Sequence, residues 1–340
     1  MKTKTTIDAD TASRLQAMAN ELGKPLTADA ASIRRLHDIA KELHDIATEI
    51  KTLADSLGRH KLVDFADVWP ESLDPKEEQR MLLPLYLGMT PQDEKLVIDL
   101  ARMPHLLVGG ASGQGKSNLL NCIISGLARL LPPEQLRFFL FDPKYVEFTH
   151  FLNLPHLAFQ VINDGAKCVR ALNWLENEME ERLKTFSNVK CSNIEKYRAG
   201  GNQMPYIVVV IDEIADLMME YGKEVESLVG RITAFGRAVG IYFVMATQVA
   251  DQKVLTESLC RSFITRIAFK TRNQSESQLI IDAPDADILC GRGDMFVSQP
   301  GRALVRAQCA YLSSEEEARI GDEIGKRYHH VNAITSFSDV

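Results

Sequence analysis

From Leu82 onward, short apolar runs alternate with stretches of helical periodicity. Leu82 to Leu87 and Lys95 to Leu100 read as strands around a turn at Met89-Thr90-Pro91-Gln92. His105 to Gly109 is a strand, and Lys116 to Leu131 a helix that Pro132-Pro133 stops. Leu136 to Phe141, Tyr206 to Ile211, Ile241 to Ala246 and Arg266 to Lys270 read as further strands. Between them lie a long helix, Ala166 to Phe186, and a second over Val225 to Val239. A charged helix, Ser313 to Tyr328, precedes a polar tail. Strands alternating with helices imply right-handed crossovers and a mostly parallel sheet covered by helices on both faces.

The first sixty residues follow another rule. Leu36, Ile39, Leu43, Ile46, Ile50, Leu53 and Leu57 recur in steps of three and four, an a/d seam of a coiled coil or helical hairpin. A shorter copy, Leu15, Met18 and Leu22, ends at Gly23, with Pro25 after it. This helical arm is either an oligomerisation or partner-docking device or an amphipathic helix on its own core. The predicted organisation is an arm over 1–60, a linker over 61–80, an α/β domain over 81–320, and the C-terminal helix end with its tail over 321–340.

Composition narrows the class. The 340 residues are 45% hydrophobic and 25% charged, ordinary for a globular chain. A net charge of −7 gives no whole-molecule attraction to nucleic acid, although basic groups lining a pore act locally. Cys122, Cys168, Cys191, Cys260, Cys290 and Cys309 are far apart, which predicts free thiols in a reducing cytoplasm. No apolar run is long enough to span a membrane, and no signal peptide is evident, so a cytoplasmic location with no membrane partner is expected.

The chemistry begins at Gly110-Ala111-Ser112-Gly113-Gln114-Gly115-Lys116-Ser117, followed by Asn118. Glycines let the backbone curl so that its N–H groups point into one cavity. Lys116 is placed to reach the β- and γ-phosphates of ATP, and Ser117 to ligate Mg²⁺. The helix behind presents its positive end to the anion. The run Val208-Val209-Val210-Ile211 ends in Asp212 and Glu213. It sets two acids at a strand's C-terminal edge, Asp212 for the metal and Glu213 as base for the attacking water. Gln248, closing the strand Ile241 to Met245, is placed to sense the γ-phosphate. Together these define a RecA-like P-loop NTPase core preceded by an α-helical arm.

Longer motifs go further. Met103-Pro104-His105-Leu106-Leu107-Val108, Asp142-Pro143-Lys144-x-x-Glu147 and Leu154-Pro155-His156-Leu157 resemble the motor domain of the FtsK/SpoIIIE DNA translocases. So do Ile211-Asp212-Glu213-x-Ala215-Asp216-Leu217, Arg237-x-x-Gly240, Ala246-Thr247-Gln248, Thr265-Arg266-Ile267-Ala268-Phe269 and Gly291-Arg292-Gly293-Asp294-Met295. The resemblance implies a homo-hexameric ring that threads double-stranded DNA and moves on ATP hydrolysis. It implies Arg266 as an arginine finger acting in trans. Lys270, Arg272, Arg292 and Arg302 would be the phosphate-tracking contacts, without base readout.

The chain departs from the family pattern at Val249, where many relatives have Arg, and at the following Ala250-Asp251. It also has Gln274 and Gln278 where relatives carry Lys and Arg. Two other activities remain open at this level: a related ATPase that moves polypeptide, and a nucleotide-switched scaffold acting through the arm.

Overall fold

The computed structural model describes residues 62–70, 72 and 81–329, together with Lys41, Asp45 and Ile46. The heptad seam as a whole and the tail from residue 330 lie outside them. The chain divides into two units, Met1–His60 and Lys61–Val340, and the sheet with its covering helices belongs to the second.

A short helix α1 (Phe65–Val68) precedes the hairpin β1 (Pro84–Met89) and β2 (Lys95–Asp99). Then come β3 (Leu106–Gly109), α2 (Lys116–Leu130), β4 (Leu136–Phe141), α3 (Gly165–Asn188) and α4 (Ile194–Ala199). The second half runs β5 (Tyr206–Ile211), α5 (Ile214–Val239), β6 (Ile241–Thr247), α6 (Glu257–Ser262), β7 (Thr265–Phe269) and α7 (Gln274–Ile281). It ends with β8 (Asp294–Ser298), β9 (Val305–Cys309) and α8 (Ser314–Arg327).

These strands form one sheet in the order β2-β1-β9-β8-β7-β3-β6-β5-β4. From β7 to β4 every neighbour is parallel. Every residue of β3, β5 and β6 is buried, as strands covered on both faces must be. The remaining strands add an antiparallel wing through β8, β9 and the β1–β2 hairpin. The α/β expectation therefore holds for the parallel half, and the wing makes the sheet mixed.

Two sequence expectations are corrected. The first half of the 61–80 linker is core: Val63, Phe65, Val68 and Trp69 are all buried. Trp69 covers Gly126 of α2 so closely that a Cβ there would lie 2.1 Å from a ring carbon. Helix α5 also begins at Ile214 rather than Val225. Non-helical Tyr221 (φ −123°, ψ 19°) breaks the periodicity, and the sequence pattern resumes only after it.

His105, first met in a motif, acts inside this frame. Its Nδ1 accepts the Phe243 N–H at 3.0 Å, and Nε2 lies 3.4 Å from the Thr233 carbonyl. Burial pushes its pKa down to about 4, so a neutral ring ties β6 to α5.

On the opposite side α8 lies against α2, with the Asn121 amide donating to Glu317 at 3.4 Å. Glu317 is buried and one of its oxygens has no partner. Burial pushes its pKa up to about 7; the Asn121 hydrogen bond opposes this and the charge of Glu147 adds to it. A carboxyl whose folded pKa is raised weakens the fold as pH rises from its unfolded value near 4.5 through 7. Glu317→Gln keeps the acceptor without the charge. It should stabilise the protein by roughly 1–2 kcal/mol at pH 8 and by nothing below pH 4.5. Denaturant midpoints at the two pH values check this; an equal gain at both would contradict it.

Candidate nucleotide site

The glycine-rich turn between β3 and α2 has three glycines at positive φ: Gly110 (146°), Gly113 (72°) and Gly115 (123°). At Gly110 the backbone also runs against β7, where a Cβ would come within 2.8 Å of Phe269. The Ala111 N–H donates to the Lys270 carbonyl at 2.9 Å, and the Gly293 N–H to the Gln114 carbonyl at 2.9 Å. The loop is thus pinned at both ends of its curl. It opens into a cleft of about 650 Å³ lined by loop residues, Ser117, Asn118, Glu147 and Gln248. Arg292, Gly293, Gln308, the segment Cys309 to Tyr311 and Leu62 also line it.

Lys116 is buried, its ammonium donating to the carbonyls of Gly110 at 2.6 Å and Ala111 at 2.7 Å. Burial pushes its pKa down to about 8, and the charges of Glu213, Asp212 and Glu147 pull it back up against Lys144. Asp212 and Glu213 follow β5 directly, and both are buried. Glu213 caps α5: its Oε1 accepts the Ala215 N–H at 3.3 Å and the Thr247 hydroxyl at 2.8 Å. Its other oxygen accepts the Gln248 N–H at 2.9 Å. The end of β6 therefore fixes this carboxylate through backbone and hydroxyl, while the Gln248 side chain lines the cleft.

Asp212 is pushed up to about 7, first by burial and then by the charges of Glu147, Asp142 and Glu213, with Lys144 opposing. Carboxylates crowded beside a phosphate loop are the donor set that a divalent cation relieves, so Asp212 and the Ser117 hydroxyl fit Mg²⁺.

Glu147 escaped sequence reasoning as a site residue. Buried Asp142 explains its position, accepting the backbone N–H of Lys144 (3.2 Å), Glu147 (2.8 Å) and Phe148 (3.1 Å). Asp142 folds the loop that brings Glu147 to the cleft; the Asp-Pro-Lys-x-x-Glu spacing was the available signal. Asn118 clamps α2 to the exit of β9, donating to the Ala310 carbonyl at 2.6 Å and accepting from Leu312 N–H at 3.0 Å.

Two predicted cations have defined surroundings within this chain. Arg292, taken for a DNA contact, lines the nucleotide cleft, at positive φ (51°) between Gly291 and Gly293. Arg266, taken for a finger in trans, is held by its own chain. It bonds the carbonyls of Phe263 and Cys260 at 2.9 Å each and Asp282 at 2.8 Å, with only 13% of its side chain exposed. Reaching a neighbouring subunit would require Arg266 to release these bonds.

The other DNA candidates differ among themselves. Arg272 is exposed but paired with Glu276 at 2.6 Å. Arg302 is exposed and bonded to Gln299, and Lys270 is half-buried beside the phosphate loop. Gln274 and Gln278 share one exposed face of α7, one helical turn apart.

A profile of the FtsK/SpoIIIE family matches residues 71–204 and 199–252, more than half of the chain. The chain belongs to the FtsK/SpoIIIE family. It is 41% identical over 265 residues to the DNA translocase FtsK of Leptospira interrogans, covering 75% of this chain and 28% of that protein. To the DNA translocase FtsK of Haemophilus influenzae it is 36% identical over 282 residues, covering 74% of this chain and 53% of the relative. The chain thus spans about a quarter to a half of the length of these relatives. Among solved structures, the pCW3 conjugation coupling protein TcpA with ATPgS superposes with a TM-score of 0.65 at 26% identity, covering 76% and 74% of the two chains. The type VII secretion ATPase EccC of Thermomonospora curvata shares the fold, with a TM-score of 0.65 at 24% identity over 77% of this chain and 32% of that one. The RecA-like P-loop core expected of this FtsK/SpoIIIE member is the observed fold. Among the described residues no helix is long and apolar enough to cross a membrane.

Proposed function

We propose that this chain is an ATP-hydrolysing motor that moves along double-stranded DNA, working as a hexameric ring and contacting phosphates without reading bases. The observation that carries the enzymatic part is the fixed Glu213 carboxylate, held from Thr247 and Gln248 beside Lys116 and Asp212. A buried carboxylate oriented on both oxygens, close enough to act on the Lys116 ammonium, is placed to position a water and take its proton. Lys116 leaves the Gly110 and Ala111 carbonyls to neutralise phosphate charge, and the curled backbone N–H groups hold the rest. Ser117 and Asp212 would hold Mg²⁺, whose charge would offset that of the phosphates. Arg292, on the cleft wall of the same chain, supplies a further cation to the anion.

Family membership and the two DNA translocase relatives support the DNA assignment. Arg272, Arg292 and Arg302 are the exposed cations of the predicted set; Gln274 and Gln278 leave the exposed face of α7 neutral. A motor that tracks phosphates through few cations should bind duplex weakly and with strong salt dependence. Steady-state ATPase assays at low salt, with and without long duplex DNA, test the proposal together with displacement of a triplex-forming strand. Turnover should rise with duplex, the strand should be displaced, and Lys116→Ala should abolish both. ATP hydrolysis indifferent to duplex, with no displacement, would refute the translocase reading while leaving the ATPase standing.

A further inference from the structure

Beyond Ser117 the cleft continues onto an apolar face that no part of the phosphate chemistry uses. Tyr311 is 46% exposed and Leu62 59% exposed, although their neighbours Ala310, Leu312 and Val63 are buried. The two are held together by backbone. Tyr311 N–H donates to the Val63 carbonyl at 2.7 Å and Phe65 N–H to the Tyr311 carbonyl at 2.9 Å, a parallel bridge that pairs Asp64 with Tyr311. Side chains alternate along extended backbone, so Leu62, two residues before Asp64, falls on the same face as Tyr311. Both line the cleft that contains Lys116 and Ser117. Asn118 fixes the spacing: it follows Ser117 in the first turn of α2 and bonds Ala310 and Leu312 on either side of Tyr311.

An exposed aromatic ring beside an exposed leucine, at rigid separation from a phosphate loop, is a platform for a planar group carried by the phosphates. We infer that Tyr311 and Leu62 form the base subsite, with the nucleobase stacking on the Tyr311 ring and Leu62 covering its edge. This rests on the reading of the phosphate loop as an ATP site. It makes the first residues after the N-terminal unit part of the nucleotide site, because Leu62 lies two positions past His60.

Calorimetric titration of the full chain with ATP, ADP and inorganic tripolyphosphate tests the assignment. Tyr311→Ala should weaken ATP and ADP about tenfold and leave tripolyphosphate unchanged, since stacking on one aromatic ring is worth that much. Leu62→Ala should weaken both nucleotides by a smaller factor, and Tyr311→Phe should bind them as the parent does. The backbone bonds of Tyr311 survive all these changes, and retained tripolyphosphate binding reports an intact loop. Parent-like ATP affinity in Tyr311→Ala would overturn the inference, as would a parallel loss of tripolyphosphate, which would make Tyr311 a structural residue. A parent chain that binds neither ATP nor tripolyphosphate would instead remove the nucleotide reading itself, and the subsite with it.

Discussion

Glu213→Gln should lower ATP turnover by roughly 10²–10⁴-fold while ATP remains bound, the loss expected when a positioned general base is removed. The substitution preserves shape. A glutamine carbonyl still accepts from Gln248 N–H or the Thr247 hydroxyl, the partners that orient the native carboxylate at 2.9 and 2.8 Å. It lacks the second anionic oxygen and cannot take the proton of water. Binding depends on other groups: Lys116, the curled backbone and Ser117. Removing one of the acids whose charge raises the Lys116 pKa lowers the local negative potential, so ATP affinity should hold or rise. Single-turnover quench measurements beside equilibrium binding separate the two quantities. Equal losses in affinity and turnover would assign Glu213 to binding, and undiminished turnover would remove it from the chemistry. In the presence of duplex DNA, the variant should accumulate in its ATP-bound state.

The parts of this site legible in the sequence are those built from local pattern. Gly110, Gly113 and Gly115 announce their backbone because a side chain at those positive φ values is strained. Asp212 and Glu213 announce theirs because an all-apolar run must end where a strand leaves the core. What stayed hidden depends on distant segments. Thr247 orients Glu213 across 34 positions, and Asn118 reaches Ala310 across 192. Of the antiparallel wing the β1–β2 hairpin was legible, but β8 and β9 were not: they share a buried Asp294–Arg306 pair, so charged letters occupy core positions and the apolar pattern breaks. Trp69 was hidden likewise, since a tryptophan next to Pro70 in a polar stretch reads as a linker until Gly126 is found beneath it. Arg266 and Arg292 show the converse. A matching motif locates a residue in the chain, but the surrounding carbonyls and cleft decide what its charge can reach.

That buried pair carries the second large effect. Asp294→Leu should destabilise the protein by about 3–5 kcal/mol, because it leaves the Arg306 guanidinium in the interior without its carboxylate. The side chains of Arg306 and Asp294 are only 7% and 1% exposed, and Arg306 Nε donates to Asp294 at 2.9 Å. Replacing both partners, Asp294→Leu with Arg306→Met, removes both buried charges together and should recover most of that loss. The site should not recover with the fold. Asp294 also accepts the Cys290 N–H at 2.8 Å, closing the turn in which Gly291, Arg292 and Gly293 all adopt positive φ. That turn carries Arg292 into the cleft and pins the phosphate loop through Gly293 N–H to the Gln114 carbonyl. The double variant should therefore unfold near the parent's denaturant midpoint yet bind ATP more weakly. A double variant as unstable as the single one would show that the pair's charges are not what holds the wing. Parent-like ATP affinity would show that the 290–294 turn keeps its shape without its carboxylate cap, and that the loop's curl is set from the Lys270 side alone.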